Sequence, residues 1–203
     1  MADTKNIIAI VGSYRKRGIV DQTIDEILAA AKEAGAETRK IYLTDKQLSY
    51  CTNCRSCTQQ QGLQHGKCVQ KDDMENLLQN IENSDAIILG SPMNAGTVTA
   101  VMKTFIERLI MFSYWPWGQP APKNRNPDKK KTALLVGSSA APAFMAKVSG
   151  DVVRLLKTAA RLLGAKPVGT LFIGLAAGQQ HQKISERTRK KARTLGKKLV
   201  MDM

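Results

Sequence analysis

Five short runs of strand length, each trailed by a stretch of helical periodicity, constrain this chain more than anything else in it. Ile7-Ile8-Ala9-Ile10-Val11 is the first and ends at Gly12; Thr38 to Leu43, Ala86 to Gly90, Thr132 to Val136 and Val168 to Ile173 follow. A strand with one wet face alternates apolar and polar residues, so the near-continuous apolar character of the first, third and fourth runs predicts strands covered on both faces. The first helix is expected from about Asp21, with Ile24, Ile27, Leu28 and Ala31 on one face and Gly35 as its stop. Lys71-Asp72-Asp73 is expected to open the second, which carries Met74, Leu77, Leu78 and Ile81, the two aspartates favouring its start electrostatically. Val98 to about Met111, Asp151 to Leu163 (stopped by Gly164) and Ser185 to Val200 are the others. Strands that alternate with helices imply an α/β fold with a parallel sheet. With right-handed crossovers the simplest strand order is 2-1-3-4-5, with ligand outside the carboxyl ends of the strands.

The 203 residues suffice for a single domain, 1–203, burying roughly 70% of its unfolded surface. Two interruptions are expected within it: a cysteine-rich insertion at about 48–70, and an aromatic and basic loop at about 112–131 that is too long and Pro-rich for a plain connector. The residues before Ile7 lack the apolar stretch of a signal peptide and no run approaches a membrane span, so the expected compartment is the cytoplasm, where thiols stay reduced. Charge is lopsided. Residues 1–120 hold 13 Lys or Arg against 13 Asp or Glu, whereas 121–203 hold 18 against 4 and carry the whole net +14. The cations gather between Lys123 and Lys131 and along the last helix, a field that attracts nucleic acid, anionic lipid or a phosphorylated cofactor, or that merely solvates a helix face.

All four cysteines, Cys51, Cys54, Cys57 and Cys68, fall within eighteen residues. Thiolates at three-residue spacing suit an iron–sulfur cluster or another soft metal, since short loops bring their sulfurs to one centre. Zinc, a single disulfide and no metal at all remain the alternatives; His65 is a conceivable zinc ligand, though an exposed loop histidine is the plainer expectation. Two histidines and no serine or cysteine triad argue against hydrolysis.

The loops after the strands carry the remaining chemistry. Gly12-Ser13-Tyr14-Arg15-Lys16-Arg17-Gly18 offers backbone N–H groups, a hydroxyl and three cations to a phosphate monoester. Gly90-Ser91-Pro92-Met93-Asn94-Ala95-Gly96-Thr97, followed by Met102-Lys103-x-Phe105-Ile106-x-Arg108, resembles the NADPH-dependent FMN reductase family of the flavodoxin superfamily, and the first loop matches it too. The cysteines and the Lys71-Asp72-Asp73-Met74 stretch resemble its iron–sulfur flavoprotein branch; the likeness runs from about residue 6 to 175.

The resemblance implies a flavodoxin-like three-layer sandwich with FMN at the carboxyl edge of a five-stranded sheet. It implies that Ser13, Arg15, Arg17, Gly18 and the backbone of Ile19 and Val20 hold the phosphate, and that Ser91, Pro92, Met93, Asn94, Ala95 and Gly96 pass along the ring. Ser138, Ser139 and Ala140 would touch its other side, and the four cysteines would hold a 4Fe–4S cluster. Relatives carry a small polar pair at Ile19-Val20, an aromatic residue at Asn94, and a tighter spacing than the ten residues between Cys57 and Cys68. Arg15, Lys16 and Arg17 are expected to compensate for the first departure by charge.

The expected activity is hydride transfer from NADPH or NADH to FMN, then electron transfer to a quinone, free flavin, metal ion or the cluster, with no side chain required as acid or base. An electron carrier serving a ferredoxin-like partner is the alternative. A zinc-loop nucleic-acid-binding protein leaves the glycine-rich loops unexplained, so neither nucleic acid nor membrane is an expected partner. A homodimer or homotetramer is implied by the resemblance. The Trp115–Trp117 loop is expected to roof the flavin, to form a subunit contact or to anchor itself, and Met102, Met111 and Met145 are expected to pack.

Overall fold

A computed structural model describes residues 4–201 apart from Leu63 and Lys129, with Lys147 described by its backbone alone. Leu63 of the expected insertion, Lys129 of the expected basic loop and the two ends of the expected 1–203 domain lie outside the described residues. In chain order the elements are β1 (Asn6–Val11), α1 (Ile19–Glu33), β2 (Glu37–Tyr42), α2 (Met74–Glu82), β3 (Ala86–Asn94), β4 (Thr97–Val98), α3 (Ala100–Arg108), β5 (Ser113–Tyr114), β6 (Lys123–Asn124), β7 (Lys131–Ser138), α4 (Ala143–Ser149), α5 (Val152–Leu162), β8 (Ala165–Ile173) and α6 (Glu186–Met201).

The five long strands form a parallel sheet in the order β2-β1-β3-β7-β8, which is the expected 2-1-3-4-5 arrangement of a flavodoxin-like fold. Its register sets Val11 against Gly90 and Gly90 against Val136, so the loops leaving β1, β3 and β7 rise from one edge. On one face Ile24, Ile27 and Leu28 of α1 join Ala192 and Leu199 of α6; on the other Leu77, Met102, Phe105 and Leu156 close the core. Phe105 is fully buried, which is worth about 2–3 kcal/mol. Gly196 lets α6 close on α1, since a Cβ there would lie 2.2 Å from the Ile27 carbonyl oxygen. Arg189 then reaches Glu26 (2.9 Å) and Arg193 reaches Glu33 (2.5 Å), so part of the basic helix is committed to α1 rather than to solvent.

The departures from expectation have physical reasons. β3 runs on to Asn94 instead of ending at Gly90, because Pro92, which removes a ladder donor, disguises the continuing strand. The third helix ends at Arg108 and tightens into a 3-10 turn through Phe112. The short α4 was not expected: it exposes Phe144, Met145 and Val148, so no buried face marks it in the sequence. Met102 and Met111 pack as expected, but Met145 does not.

Candidate functional site

Loop one, residues 12–18, joins β1 to α1 and is locked to its neighbours. The Gly12 N–H donates to the Gly90 carbonyl (2.8 Å), and the Gly12 carbonyl accepts the Thr99 hydroxyl (2.5 Å). A Cβ on Gly12 would lie 2.6 Å from the Met102 Cβ, so only glycine allows this approach. The buried Ser13 hydroxyl accepts from the Arg15 N–H and donates to the Arg15 carbonyl, both at 3.2 Å, folding the loop on itself. Arg17 is left-handed at φ 65°, and its N–H donates to the buried Asp21 carboxylate at 2.5 Å. Asp21 also accepts from Lys40 Nζ (2.9 Å), whose charge offsets its own beside the loop, and from the Tyr42 hydroxyl (2.8 Å).

The first-turn N–H groups of α1, at Ile19, Val20 and Asp21, have no intrahelical acceptor and present a positive dipole end to the loop. The side chains of Ile19 and Val20 are buried in the core, so only their backbone is available there. Lys16 is drawn away, pairing with Asp45 at 2.9 Å and lying 5.0 Å over the Tyr42 ring. Of the three expected cations, Arg15 and Arg17 are the ones whose side chains form no ion pair among the described residues.

Loop two is a hairpin. β3 turns back on β4 through Ala95 (φ 46°) and Gly96 (φ 79°), with Met93 opposite Val98 and Asn94 opposite Thr97. Ser91 is wholly buried; its hydroxyl accepts from the Thr99 N–H (3.1 Å) and donates to the Pro92 carbonyl (2.9 Å), holding the hairpin at its base. Asn94 and Ala95 stay exposed at the tip. Across the sheet Pro92 pairs with Ser138, which begins loop three. There the Ser139 hydroxyl donates to the Ala141 carbonyl (2.7 Å), and its N–H to the Ile173 carbonyl (2.9 Å). The structure therefore brings Ser13, Arg15, Arg17, Ser91–Gly96 and Ser138–Ala140 to one edge.

The cysteine segment rises between β2 and α2, and all four cysteines carry free thiols. Asn53 (φ 53°) and Arg55 (φ 60°), both left-handed, reverse the chain between successive cysteines. Cys57 is buried and Cys54 exposed. Burial, helped by the neighbouring charges of Cys68, Cys51 and Cys54, pushes the Cys57 thiol up to about 11, so the four sulfurs lie within electrostatic reach. Hydrogen bonds from Ser56 hold Cys54 below its ordinary value. Among the described residues no three His, Cys, Asp or Glu side chains converge closely enough to hold a single metal ion.

The Trp115–Trp117 loop packs against this segment. Arg55 is stacked between Trp115 and Trp117, 3.9 and 4.2 Å from their ring centroids, and donates to the Trp115 carbonyl (2.6 Å). The Trp115 N–H donates to the Thr58 carbonyl (2.9 Å) and the Trp117 N–H to Gln59 Oε1 (3.1 Å), so of the three expectations the local anchor describes these contacts. His65 is half-buried rather than exposed: it lies 5.5 Å from the Phe112 ring and 3.4 Å from Glu82, because the ten-residue span between Cys57 and Cys68 folds inward. Gly66 donates to the Met111 carbonyl at 2.8 Å, where a Cβ would meet the Cys57 carbonyl oxygen at 1.6 Å.

Asp72 and Asp73 do more than start a helix. Asp73 sits at the N-cap of α2 without capping it; its carboxylate accepts from the Gln47 N–H (2.8 Å), while Asp72 accepts from the Ser49 N–H (2.8 Å) and from Met74 (3.1 Å). Arg108, 2% exposed, grips Asp72 through both terminal nitrogens (2.7 and 3.2 Å), donates to the Ser49 carbonyl (2.9 Å) and reaches the Cys68 thiol. The two arms of the cysteine segment are thus clamped at their base. Sequence reading missed this role of Arg108, although the residue stood in a quoted motif; its partners lie some forty to sixty positions away. Its Nε has no hydrogen-bond partner among the described residues.

No described helix is long and apolar enough to cross a membrane. The sequence pattern of the family described as NADPH-dependent FMN reductase matches residues 5–180. An iron–sulfur flavoprotein of Archaeoglobus fulgidus is 33% identical over 194 residues, covering 95% of this chain and 78% of its own length. One from Methanocaldococcus jannaschii is 38% identical over 102 residues, half of either chain. Among solved structures, an FMN-dependent NADH-azoreductase of Bacillus anthracis in complex with FMN superposes with a TM-score of 0.71 at 12% identity, covering 97% of this chain and all of its own, a likeness of fold.

Proposed function

Because the chain belongs to the NADPH-dependent FMN reductase family, with iron–sulfur flavoproteins among its relatives, we propose that it is an FMN-dependent oxidoreductase taking hydride from NADPH or NADH and passing electrons to a quinone, flavin, metal ion or iron–sulfur centre. The observation that carries this reading is the row of three interlocked loops at one sheet edge, beside four free thiols. FMN and a 4Fe–4S cluster would supply the redox chemistry, the flavin taking two electrons as hydride and the cluster relaying single electrons.

The residues fit such groups. Unpaired first-turn N–H groups of α1, with Arg15 and Arg17, suit a phosphate held by Ser13, Gly18 and the backbone of Ile19 and Val20. Residues Ser91–Gly96 and Ser138–Ala140 would flank the ring, their backbones fixed by the buried hydroxyls of Ser91 and Ser139. Cys51, Cys54, Cys57 and Cys68 would hold the cluster, whose thiolates attach to different irons and so stand further apart than around one ion. Arg108 beside Cys68 and Arg125 beside Cys57 offset negative charge there. The exposed Cys54 favours a second reading, an electron carrier whose cluster meets a ferredoxin-like partner at the surface. A cytoplasmic setting and a homodimer or homotetramer complete the proposal.

An absorption spectrum of anaerobically purified protein, with iron, zinc and acid-labile sulfide assayed on the same sample, tests both centres. Flavin bands with stoichiometric iron and sulfide are expected; zinc without flavin, even after FMN is added, overturns the reading. Steady-state NAD(P)H oxidation separates reductase from carrier, which would show essentially none. Reversing the charge at Arg15 (Arg15→Glu) is expected to weaken FMN binding by about tenfold or more, and unchanged FMN affinity would refute the phosphate assignment.

A further inference from the structure

We propose that a cavity of about 340 Å³ between the end of β8 and the start of α6 binds the 2′-phosphorylated adenylate end of the dinucleotide donor through Lys183, Arg187 and Lys191. This inference rests on the reductase reading and adds to it a place and a recognition chemistry.

The argument begins with how α6 spends its charge. Arg189 and Arg193, one helical turn apart, turn toward α1 and pair with Glu26 and Glu33. Arg187 and Lys191, also one turn apart, line the cavity together with Lys183, and none of these three has an ion-pair partner among the described residues. No carboxylate lines the cavity among the described residues. Its other wall is apolar, with Ile19, Leu171, Phe172 and Ile173. Cations facing an apolar wall suit a flat heterocycle bearing a phosphate: the base covers the apolar surface and the phosphate meets the cations. A bare inorganic anion uses only half of that surface.

The walls of the cavity are hydrogen-bonded to two loops of the proposed flavin cradle. Gln22 straps it to loop one, since its amide nitrogen donates to the Arg17 carbonyl (2.7 Å) and the Gln182 carbonyl (2.9 Å), and its oxygen accepts from the Ile184 N–H (3.1 Å). Loop three is joined to the other wall: the Ser139 N–H donates to Ile173 (2.9 Å), the Ala176 N–H to Ser139 (2.9 Å) and the Leu175 N–H to Ala141 (3.1 Å). A ligand seated here adjoins the flavin site without competing for the FMN phosphate, which the proposal places on loop one. The three cations are exposed, so screening limits their contribution to affinity, and discrimination between phosphorylated and unphosphorylated donors is the property they would confer.

The FMN-loaded protein is titrated with 2′,5′-ADP, 5′-AMP and inorganic phosphate, and KM is measured for NADPH and NADH. Binding of 2′,5′-ADP at least about tenfold tighter than 5′-AMP is expected, with competition against NADPH. The Arg187→Glu/Lys191→Glu double variant, checked for retained FMN and an unaltered melting curve, should erase that preference and raise KM for NADPH about tenfold, more than for NADH. Lys190→Glu, a charge reversal on the same helix outside the cavity, should not. Equal effects of Lys190→Glu, phosphate binding as tightly as 2′,5′-ADP, or an unaltered NADPH preference overturns the cavity while leaving the reductase reading standing. A parent protein that retains FMN but oxidises neither dinucleotide overturns the reductase reading itself.

Discussion

The two edges of the sheet differ in which residues carry left-handed backbone. At the amino edge, where helices hand back to strands, glycine takes the positive φ: Gly35 (92°) after α1 and Gly164 (69°) after α5. At the carboxyl edge and in the cysteine segment, Gly96 (79°) and Gly62 (81°) are joined by Arg17, Asn53, Arg55, Ala95 and Leu175, at φ between 46° and 65°, and no other described non-glycine residue takes it. Each such residue costs on the order of 1 kcal/mol, so strain gathers at one end of the molecule. The amino edge is built for turning; the carboxyl edge accepts strain to aim N–H groups and sulfurs.

A pair of glycine substitutions sets the edges against each other with the largest expected effect. In Gly66→Ala the new Cβ lies 1.6 Å from the Cys57 carbonyl oxygen, so the cysteine segment must lift away. Cys57, now buried, should become readily alkylated by iodoacetamide in the metal-free protein, and iron–sulfur reconstitution should fail. Gly35→Ala meets nothing within 4 Å and bears only its φ of 92°, a penalty of about 1 kcal/mol in urea unfolding with Cys57 still protected. Equal behaviour of the two would dissolve the distinction.

Next in size is the clamp at the base of the segment. Arg108→Met leaves the Asp72 carboxylate buried without its cation, a loss of about 3 kcal/mol, whereas Arg154→Met breaks an exposed pair and should leave the unfolding curve unchanged. Burial opposes ionisation of Asp72, but the Arg108 guanidinium and the N–H groups of Ser49 and Met74 outweigh it and hold the carboxyl below its usual range. Its folded pKa lies under the unfolded value of about 3.9, so its stabilisation is complete above that pH and disappears as pH falls through the folded value. Protonation also relieves the uncompensated carboxylate of the variant, so the stability gap between the natural protein and Arg108→Met should narrow as pH falls through the acidic range. A gap that narrows as pH rises instead would contradict the clamp.

What the sequence revealed follows from the range of the interactions involved. Strands β1, β3 and β7 were legible because burial on both faces leaves no polar position in most of their length. The glycine-rich loops were legible because a turn or close approach restricts residue type locally, as at Gly12 against Met102. Asp72 and Asp73 marked the start of α2 but hid the clamp, because a helix start and a clamp ask for the same residue. Arg108 and Asp72, 36 positions apart, and Arg55 with Trp115, 60 apart, leave no spacing to read. The hairpin tip was hidden by Pro92 and by Ala95, a residue that seldom adopts positive φ.

Ala95 also offers the finest test of whether strain at the carboxyl edge serves the site. Glycine there removes a left-handed penalty of about 1–2 kcal/mol but loses about 0.5–1 kcal/mol through greater freedom of the unfolded chain. Ala95→Gly should thus stabilise by a few tenths to about 1 kcal/mol, while Ala31→Gly inside α1 should destabilise by about 1 kcal/mol. Opposite signs from one chemical change would mark Ala95 as strained and Ala31 as relaxed. FMN affinity then decides the purpose: the hairpin from Ser91 to Gly96 is held at its base by Ser91 and Thr99, and the alanine restricts its tip. A stabilised Ala95→Gly that binds FMN more weakly means the strain pre-orders the tip for the ring. A stabilised variant that binds FMN equally well means the strain is incidental, and the base bonds alone set the loop.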